Sequence, residues 1–81
     1  MIIYFSVERL AGGGHKSPRY RARLHTEPGG LPKFVQAHSS PSVLAAKRSA
    51  EELFGINLDW TEPAGTEWPS EIRTVARLEF G

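Results

Sequence analysis

The 81-residue sequence contains no cysteine. This absence excludes disulfide bonds, thiol nucleophiles and zinc sites built from thiolates, and it favours a reducing, intracellular compartment. Long apolar runs are also missing, because the apolar start of the chain is interrupted by Ser6 and Glu8 and has no basic leader. We therefore expect a cytoplasmic, soluble protein with neither a signal peptide nor a membrane span.

The motifs of common enzymes are missing as well. There is no Gly-x-Ser-x-Gly elbow and no His-Glu-x-x-His pair, and Glu51 and Glu52 are adjacent on a predicted helix, where they point about 100° apart. His25 and His38 have no obvious third ligand with which to hold a metal. We predict a protein that is not an enzyme and that uses no metal and no cofactor.

A glycine-rich stretch, GGGHKS at residues 12–17, is superficially similar to a phosphate-binding loop. That motif needs glycine directly before its lysine and a helix directly after it. Here His15 precedes Lys16, and the next periodic segment has the pattern of a strand. We predict the tip of a hairpin instead of a nucleotide site.

Residues 40–55, SPSVLAAKRSAEELFG, carry the signals of one helix. Ser40 is predicted as the N-cap, Pro41 as the first helical residue and Gly55 as the residue that ends the helix. Spacings of three and four residues define an apolar face that consists of Val43, Ala46, Ala50, Leu53 and Phe54, with Leu44 at its margin. The opposite face carries two pairs of opposite charge, Lys47 with Glu51 and Arg48 with Glu52.

Four segments alternate with a period of two and predict strands: residues 1–8, 19–26, 33–38 and 71–80. Residues 56–61 predict a short fifth strand. The side chains expected to face the helix are Ile3, Phe5, Val7, Tyr20, Ala22, Leu24, Val35, Ala37, Ile72, Thr74, Ala76, Leu78 and Phe80. Pairing the first two strands in this way brings Glu8 beside Arg19, Ser6 beside Arg21, and Tyr4 beside Arg23.

These elements predict a single α+β domain over residues 1–81, with two layers in the order β-β-β-α-(β)-β. The first three strands form an antiparallel meander, and the last strand completes a sheet of four or five strands. One helix covers one face of this sheet. We expect water to cover the other face, because the chain has one apolar side for each strand and only one helix.

Charge is unevenly distributed along the chain. Residues 1–48 hold eight Lys and Arg against two acids, a net +6, and residues 49–81 hold seven acids against Arg73 and Arg77, a net −5. A segregated field of this kind can steer a charged partner. The alternative is that the two halves neutralise each other in the folded protein.

The outer sheet face is the predicted partner-binding surface. Its guanidinium groups are those of Arg19, Arg21, Arg23, Arg73 and Arg77, interleaved with Tyr4, Phe34, His25, Gln36 and His38. Such a row suits an acidic protein, or the phosphates and bases of nucleic acid. The alternative is an ordinary solvated sheet in which Glu8 and Glu79 pair with the arginines.

A second candidate surface is the acidic segment at residues 59–71. Trp60 and Trp68 lie in this segment, and large aromatic side chains are common anchors of protein interfaces. A buried, structural role for Trp68 is the alternative. The protein is expected to be a monomer or a homodimer, and an exposed strand edge would join the two copies of a dimer.

In length and in element order, the chain resembles small accessory proteins of bacteriophages and mobile elements, among them anti-CRISPR proteins. The segments that carry the resemblance are IIYFSVE, RYRARLHT and KFVQAHS as strands, SPSVLAAKRSAEELFG as the helix, and EIRTVARLEFG as the closing strand. The resemblance implies an inhibitor that binds a host protein or ribonucleoprotein complex, such as a CRISPR effector. A small nucleic-acid-binding module is the alternative function.

Overall fold

The computed structural model describes residues 1–10 and 18–81. The predicted hairpin tip at residues 12–17 therefore lies outside the described residues. Six elements follow one another along the chain: β1 (Ile2–Leu10), β2 (Arg19–His25), β3 (Phe34–Val35), α1 (Val43–Phe54), β4 (Trp60–Thr61) and β5 (Ile72–Glu79). The strands form one five-stranded sheet in the order β3-β2-β1-β5-β4, and every strand pair is antiparallel. The predicted small α+β fold is confirmed.

Helix α1 starts two residues later than the sequence predicts. Its N-cap is Ser42, whose hydroxyl accepts a hydrogen bond from the Ala45 amide at 3.1 Å. The prediction of Ser40 as the N-cap is wrong, because the Ser40 backbone forms hydrogen bonds of 2.6 and 2.9 Å with the backbone of Tyr20 in β2. The predicted end is confirmed, since Gly55 adopts the left-handed conformation at φ 68° and its amide bonds to Glu51 O.

Alanines in the middle of α1 bring the helix close to the sheet. Ala46 and Ala50 are fully buried and pack with Val7 and Ala22, while Phe5 forms a second cluster. The residues buried with Phe5 in that cluster are Leu58 and Ala76. Both ends of the predicted apolar face reach the core, since Val43 packs against the first cluster and the Phe54 ring meets the Phe5 ring edge to face at a centroid distance of 5.3 Å. Leu44 and Leu53 are exposed.

The charged side chains on the outer face of α1 do not form the predicted pairs. The described residues form three salt bridges, and neither of the predicted helix pairs, Lys47 with Glu51 or Arg48 with Glu52, is among them. Glu51 instead accepts a 2.8 Å hydrogen bond from the Leu58 amide. This bond ties the end of the helix to the segment that returns to the sheet.

The register of β1 and β2 is shifted by two residues from the predicted pairing. Glu8 pairs with Arg21, Ser6 with Arg23, and Tyr4 with His25. Strand β1 continues to Leu10, so the hairpin closes later along β1 than predicted. Because side chains alternate with a period of two, a shift of two changes each residue's neighbours and keeps its face.

The facing predicted for β3, an edge strand, is wrong. Strand β3 pairs Phe34 with Leu24 and Val35 with Arg23, so that Phe34 shares the helix side and Val35 the outer side. Ala37, predicted to face the helix, is exposed.

The pairing of β1 with β5 contains an irregularity. The register shifts between Val7 and Glu8 of β1, so that Ile72 pairs with Glu8 and belongs to neither core cluster. An irregularity of this kind changes the direction in which the neighbouring side chains point.

Candidate binding cleft

The outer sheet face is not fully open to solvent, contrary to prediction. Ser6, Glu8 and His25 are 0, 4 and 2% exposed on this face. The loop at residues 26–33 and the loop at residues 62–71 both contact His25, and Glu8 is buried beside Arg21 and Arg23. His25 is therefore not the exposed histidine that the alternating pattern predicts, whereas His38 is exposed.

Trp68 is the part of the second loop that covers the sheet. Its ring meets His25 at a centroid distance of 5.1 Å and Tyr4 at 6.4 Å, both edge to face. The two loops also touch each other, since a Cβ built on Gly29 would lie 1.6 Å from the Glu67 carbonyl oxygen. Gly29 has φ +71°, a conformation that glycine adopts without steric cost.

His25 connects the first loop to the centre of the sheet. Its Nδ1 lies 2.9 Å from the Gly30 carbonyl oxygen, and its Nε2 lies 2.7 Å from Ser6 Oγ. A carbonyl only accepts hydrogen bonds, so Nδ1 donates to it, and in the neutral ring Nε2 accepts from the Ser6 hydroxyl. Burial lowers the pKa of His25 from its ordinary value of 6.5, and the Arg23 charge acts in the same direction, although the Gly30 bond and Glu8 oppose them.

The arginines of β2 are engaged within the protein. Arg19 donates to Ser39 twice, from Nε to Oγ at 3.0 Å and from Nη2 to the carbonyl oxygen at 2.8 Å. Arg21 Nη2 lies 3.3 Å from Glu8 Oε1. Arg23 Nε is in ion-pair contact with Glu8 Oε2, although these two atoms do not have the geometry of a hydrogen bond. Glu8 thus neutralises part of the predicted basic row.

The two arginines of β5 are exposed and lie on different parts of the sheet. Arg73 donates from Nη1 to the Ser70 carbonyl oxygen at 3.1 Å. Arg77 forms a 3.2 Å salt bridge with Glu79, and both side chains are more than half exposed. Arg77 pairs with Tyr4 across the strands, so it belongs with the aromatic part of the outer face.

Two of the predicted anchors lie on the other side of the sheet. Trp60 packs against both core clusters, and its buried Nε1 has no hydrogen-bond partner among the described residues. Phe34 packs edge to face on Phe54 at 5.6 Å. The structure therefore brings Tyr4, Trp68 and Arg77 together and separates them from Trp60 and Phe34.

A cleft of about 300 Å³ lies where Tyr4, Trp68 and Arg77 meet. Its lining is completed by Pro28, Thr61, Glu62, Ala64, Glu67, Val75 and Ala76. Pro28 and the two glutamates were not predicted as site residues. The acidic composition of residues 59–71 predicted this loop as a candidate surface, but only the fold shows that Pro28 of the loop at residues 26–33 also lines the cleft.

The rim of the cleft is acidic. Glu62 and Glu67 are exposed, and neither takes part in a salt bridge with any residue that the structure describes. Arg77, the one cation in the lining, is already paired with Glu79. The cleft thus combines two aromatic rings with two carboxylates available to a partner.

Within residues 1–10 and 18–81, no group of three or more His, Asp or Glu side chains is arranged to hold a metal ion. None of the described helices has the length and apolar character needed to cross a membrane. A scan against protein-family models finds no match for this chain, and searches of curated proteins and of solved structures also find none.

Proposed function

We propose that this chain is a non-enzymatic binding protein that docks on a partner protein through the cleft around Tyr4 and Trp68. The observation that carries the proposal is the juxtaposition of two aromatic side chains and two carboxylates without internal salt bridges at one concave site. Aromatic residues in partly enclosed pockets are the usual anchors of protein interfaces.

The arginine row supports the alternative, direct nucleic-acid binding, less strongly. Phosphate binding depends on guanidinium groups that are free to replace counterions. Arg21 and Arg23 share the buried Glu8, and Arg19 is held by Ser39. The available side chains on this surface therefore favour binding to a protein over binding to nucleic acid.

We further propose that the partner belongs to a host complex and that binding inhibits it, as in anti-CRISPR proteins. This step is supported by the likeness in length and element order described above. The cleft adds a chemical expectation, because its acidic rim favours a basic surface on the partner. Basic surfaces are common on complexes that handle nucleic acid.

The test is retention of purified CRISPR effector complexes, and of proteins from a bacterial lysate, on the immobilised chain at physiological salt. Ala64→Arg fills the cleft with a bulky cation at an exposed position, and we expect it to abolish retention. Leu44→Arg, which adds the same cation at an exposed position on the helix, is the matched control and should retain the partner. Trp68→Ala should also lose the partner while circular dichroism confirms that it is folded.

Three outcomes would contradict the proposal. The first is that no protein is retained by the unmodified chain. The second is that Ala64→Arg retains the same protein as strongly as the unmodified chain does. The third is that nuclease treatment releases every retained protein, because nucleic acid would then be the direct ligand.

A further inference from the structure

The chemistry of the cleft identifies the kind of side chain that it accepts. We propose that the cleft binds an arginine side chain presented by an exposed, basic segment of the partner protein. This inference rests on the proposed function and names the group that the partner contributes. It is carried by the shape, the aromatic lining and the charge of the cleft.

The aromatic lining suits a flat cation. Tyr4 and Trp68 are arranged edge to face, with centroids 6.4 Å apart and ring planes inclined by 64°. A cation is attracted to the face of an aromatic ring, and the planar guanidinium of arginine can also stack on it. Pro28 and Val75 provide apolar contact for the methylene groups of the same side chain.

The carboxylates at the rim complete the complementarity. Glu62 and Glu67 both line the cleft and both lack an internal cationic partner among the described residues. Arg77 and Glu79 cancel each other's charge nearby. A guanidinium group has five N–H donors, so it can bond to a carboxylate while its plane lies against a ring.

The position of Trp68 keeps this site assembled before a partner arrives. Its ring rests on the buried His25, which is hydrogen-bonded to Ser6 and Gly30. Contact between Gly29 and Glu67 holds the loop that carries the acidic rim. A site that is already formed loses less conformational entropy on binding.

The probe is Nα-acetyl-arginine methylamide, and Nα-acetyl-citrulline methylamide is its neutral control of nearly the same shape. Each is titrated to tens of millimolar into the ¹⁵N-labelled protein, since a single side chain binds weakly. We expect the arginine probe to shift the indole N–H resonance of Trp68 and to leave that of Trp60 unchanged. The citrulline probe should shift neither resonance.

Two double variants separate local from overall electrostatics. Glu62→Gln with Glu67→Gln should weaken binding of the arginine probe by about fivefold, since two exposed charge pairs of modest strength are lost together. Glu52→Gln with Glu71→Gln changes the net charge equally at exposed sites outside the cleft, and should leave the affinity within about twofold.

The proposal is overturned if the arginine probe leaves the Trp68 resonance unshifted, if citrulline shifts it equally, or if both double variants weaken binding to the same degree. These results are independent of the retention experiment. A partner protein that is retained without any response to arginine would preserve the proposed function and refute this inference. If the arginine probe shifts the Trp68 resonance but no partner protein is retained, this inference would stand and the proposed function would be refuted.

Discussion

The contact between the two outer loops can be tested with a single methyl group at Gly29. A Cβ at this position would lie 1.6 Å from the backbone oxygen of Glu67 and 2.8 Å from its carbonyl carbon. Backbone atoms cannot rotate away as a flexible side chain can, so the loops must separate to accommodate Gly29→Ala. We expect this variant to be destabilised and its cleft to be altered.

The magnitude follows from two costs. A non-glycine residue in the left-handed region costs roughly 1–2 kcal/mol, and overpacking at a well-packed position costs about 1–3 kcal/mol. Their combination predicts a loss of about 2–5 kcal/mol in the free energy of unfolding for Gly29→Ala. This loss is large for a domain of this size, whose whole stability is of order 5 kcal/mol.

Gly65 provides a matched control on the opposite loop. It has nearly the same backbone angle, φ +70°, but a Cβ there would meet nothing within 4 Å. Gly65→Ala should therefore show the conformational cost alone, about 1–2 kcal/mol. The difference between the two variants isolates the contact between Gly29 and Glu67.

Equilibrium unfolding in urea, followed by tryptophan fluorescence and by circular dichroism, measures both changes. We expect Gly29→Ala to lose at least about 1 kcal/mol more than Gly65→Ala, which is the lower limit of the overpacking cost. The slope of unfolding free energy against urea should be the same for both proteins. Equal losses in the two variants would refute the conclusion that the loops close on each other over the sheet.

Two further predictions concern buried polar groups of the outer face. Because burial lowers the pKa of His25 in the folded state, the unfolded state binds more protons, and stability should fall as pH drops below about 6.5. This slope should disappear in His25→Gln and persist in His38→Gln; a persistent slope in the former would refute it. Glu8→Gln should cost about 1–3 kcal/mol in urea unfolding, since it leaves two partly buried guanidinium groups without their carboxylate. Arg77→Gln, at an exposed pair, should change stability by less than about 0.5 kcal/mol, and equal effects of the two changes would contradict the difference in burial.

Much of the fold could be predicted because it depends on local periodicity. Alternating segments such as residues 1–8 and 71–80 identify strands, and the spacing of Ala46 and Ala50 identifies the buried side of the helix. Gly55 marks the end of that helix through its backbone conformation alone. These signals need no knowledge of distant residues, and the structure agrees with each of them.

The register and the helix start depend on distant partners and were not predictable in the same way. A shift of two residues between β1 and β2 leaves the inward pattern unchanged, so alternation cannot distinguish Arg19 from Arg21 as the neighbour of Glu8. Ser40 and Ser42 are both suitable N-caps. Only the bridge between Ser40 and Tyr20 decides that Ser42 begins the helix.

The candidate site was predicted in part for a related reason. The sequence predicts Tyr4 and Arg77 on the outer sheet face and Trp68 in the acidic segment at residues 59–71, and the structure places all three around one cleft. The sequence predicts Phe34 on the outer face and Trp60 as an anchor in the acidic segment, yet the pairing of β3 and β4 turns both towards the helix. On a two-residue edge strand, the alternation is too short to fix the face from sequence.

The polar pattern of a strand shows which residues share a face, but it does not show whether water or a loop covers that face. Ser6, Glu8 and His25 have the polarity of solvated positions and are buried because each finds a partner within the protein: the Ser6 hydroxyl binds the His25 imidazole, and the Glu8 carboxylate contacts two guanidinium groups. Burial of a polar group is stable only when such partners are present. The same pairing that permits this burial uses up much of the charge of the arginine row. Glu62 and Glu67 of the loop at residues 62–71 form no salt bridge with any described residue, which is why the acidic cleft, and not the basic strand, is the surface to test first.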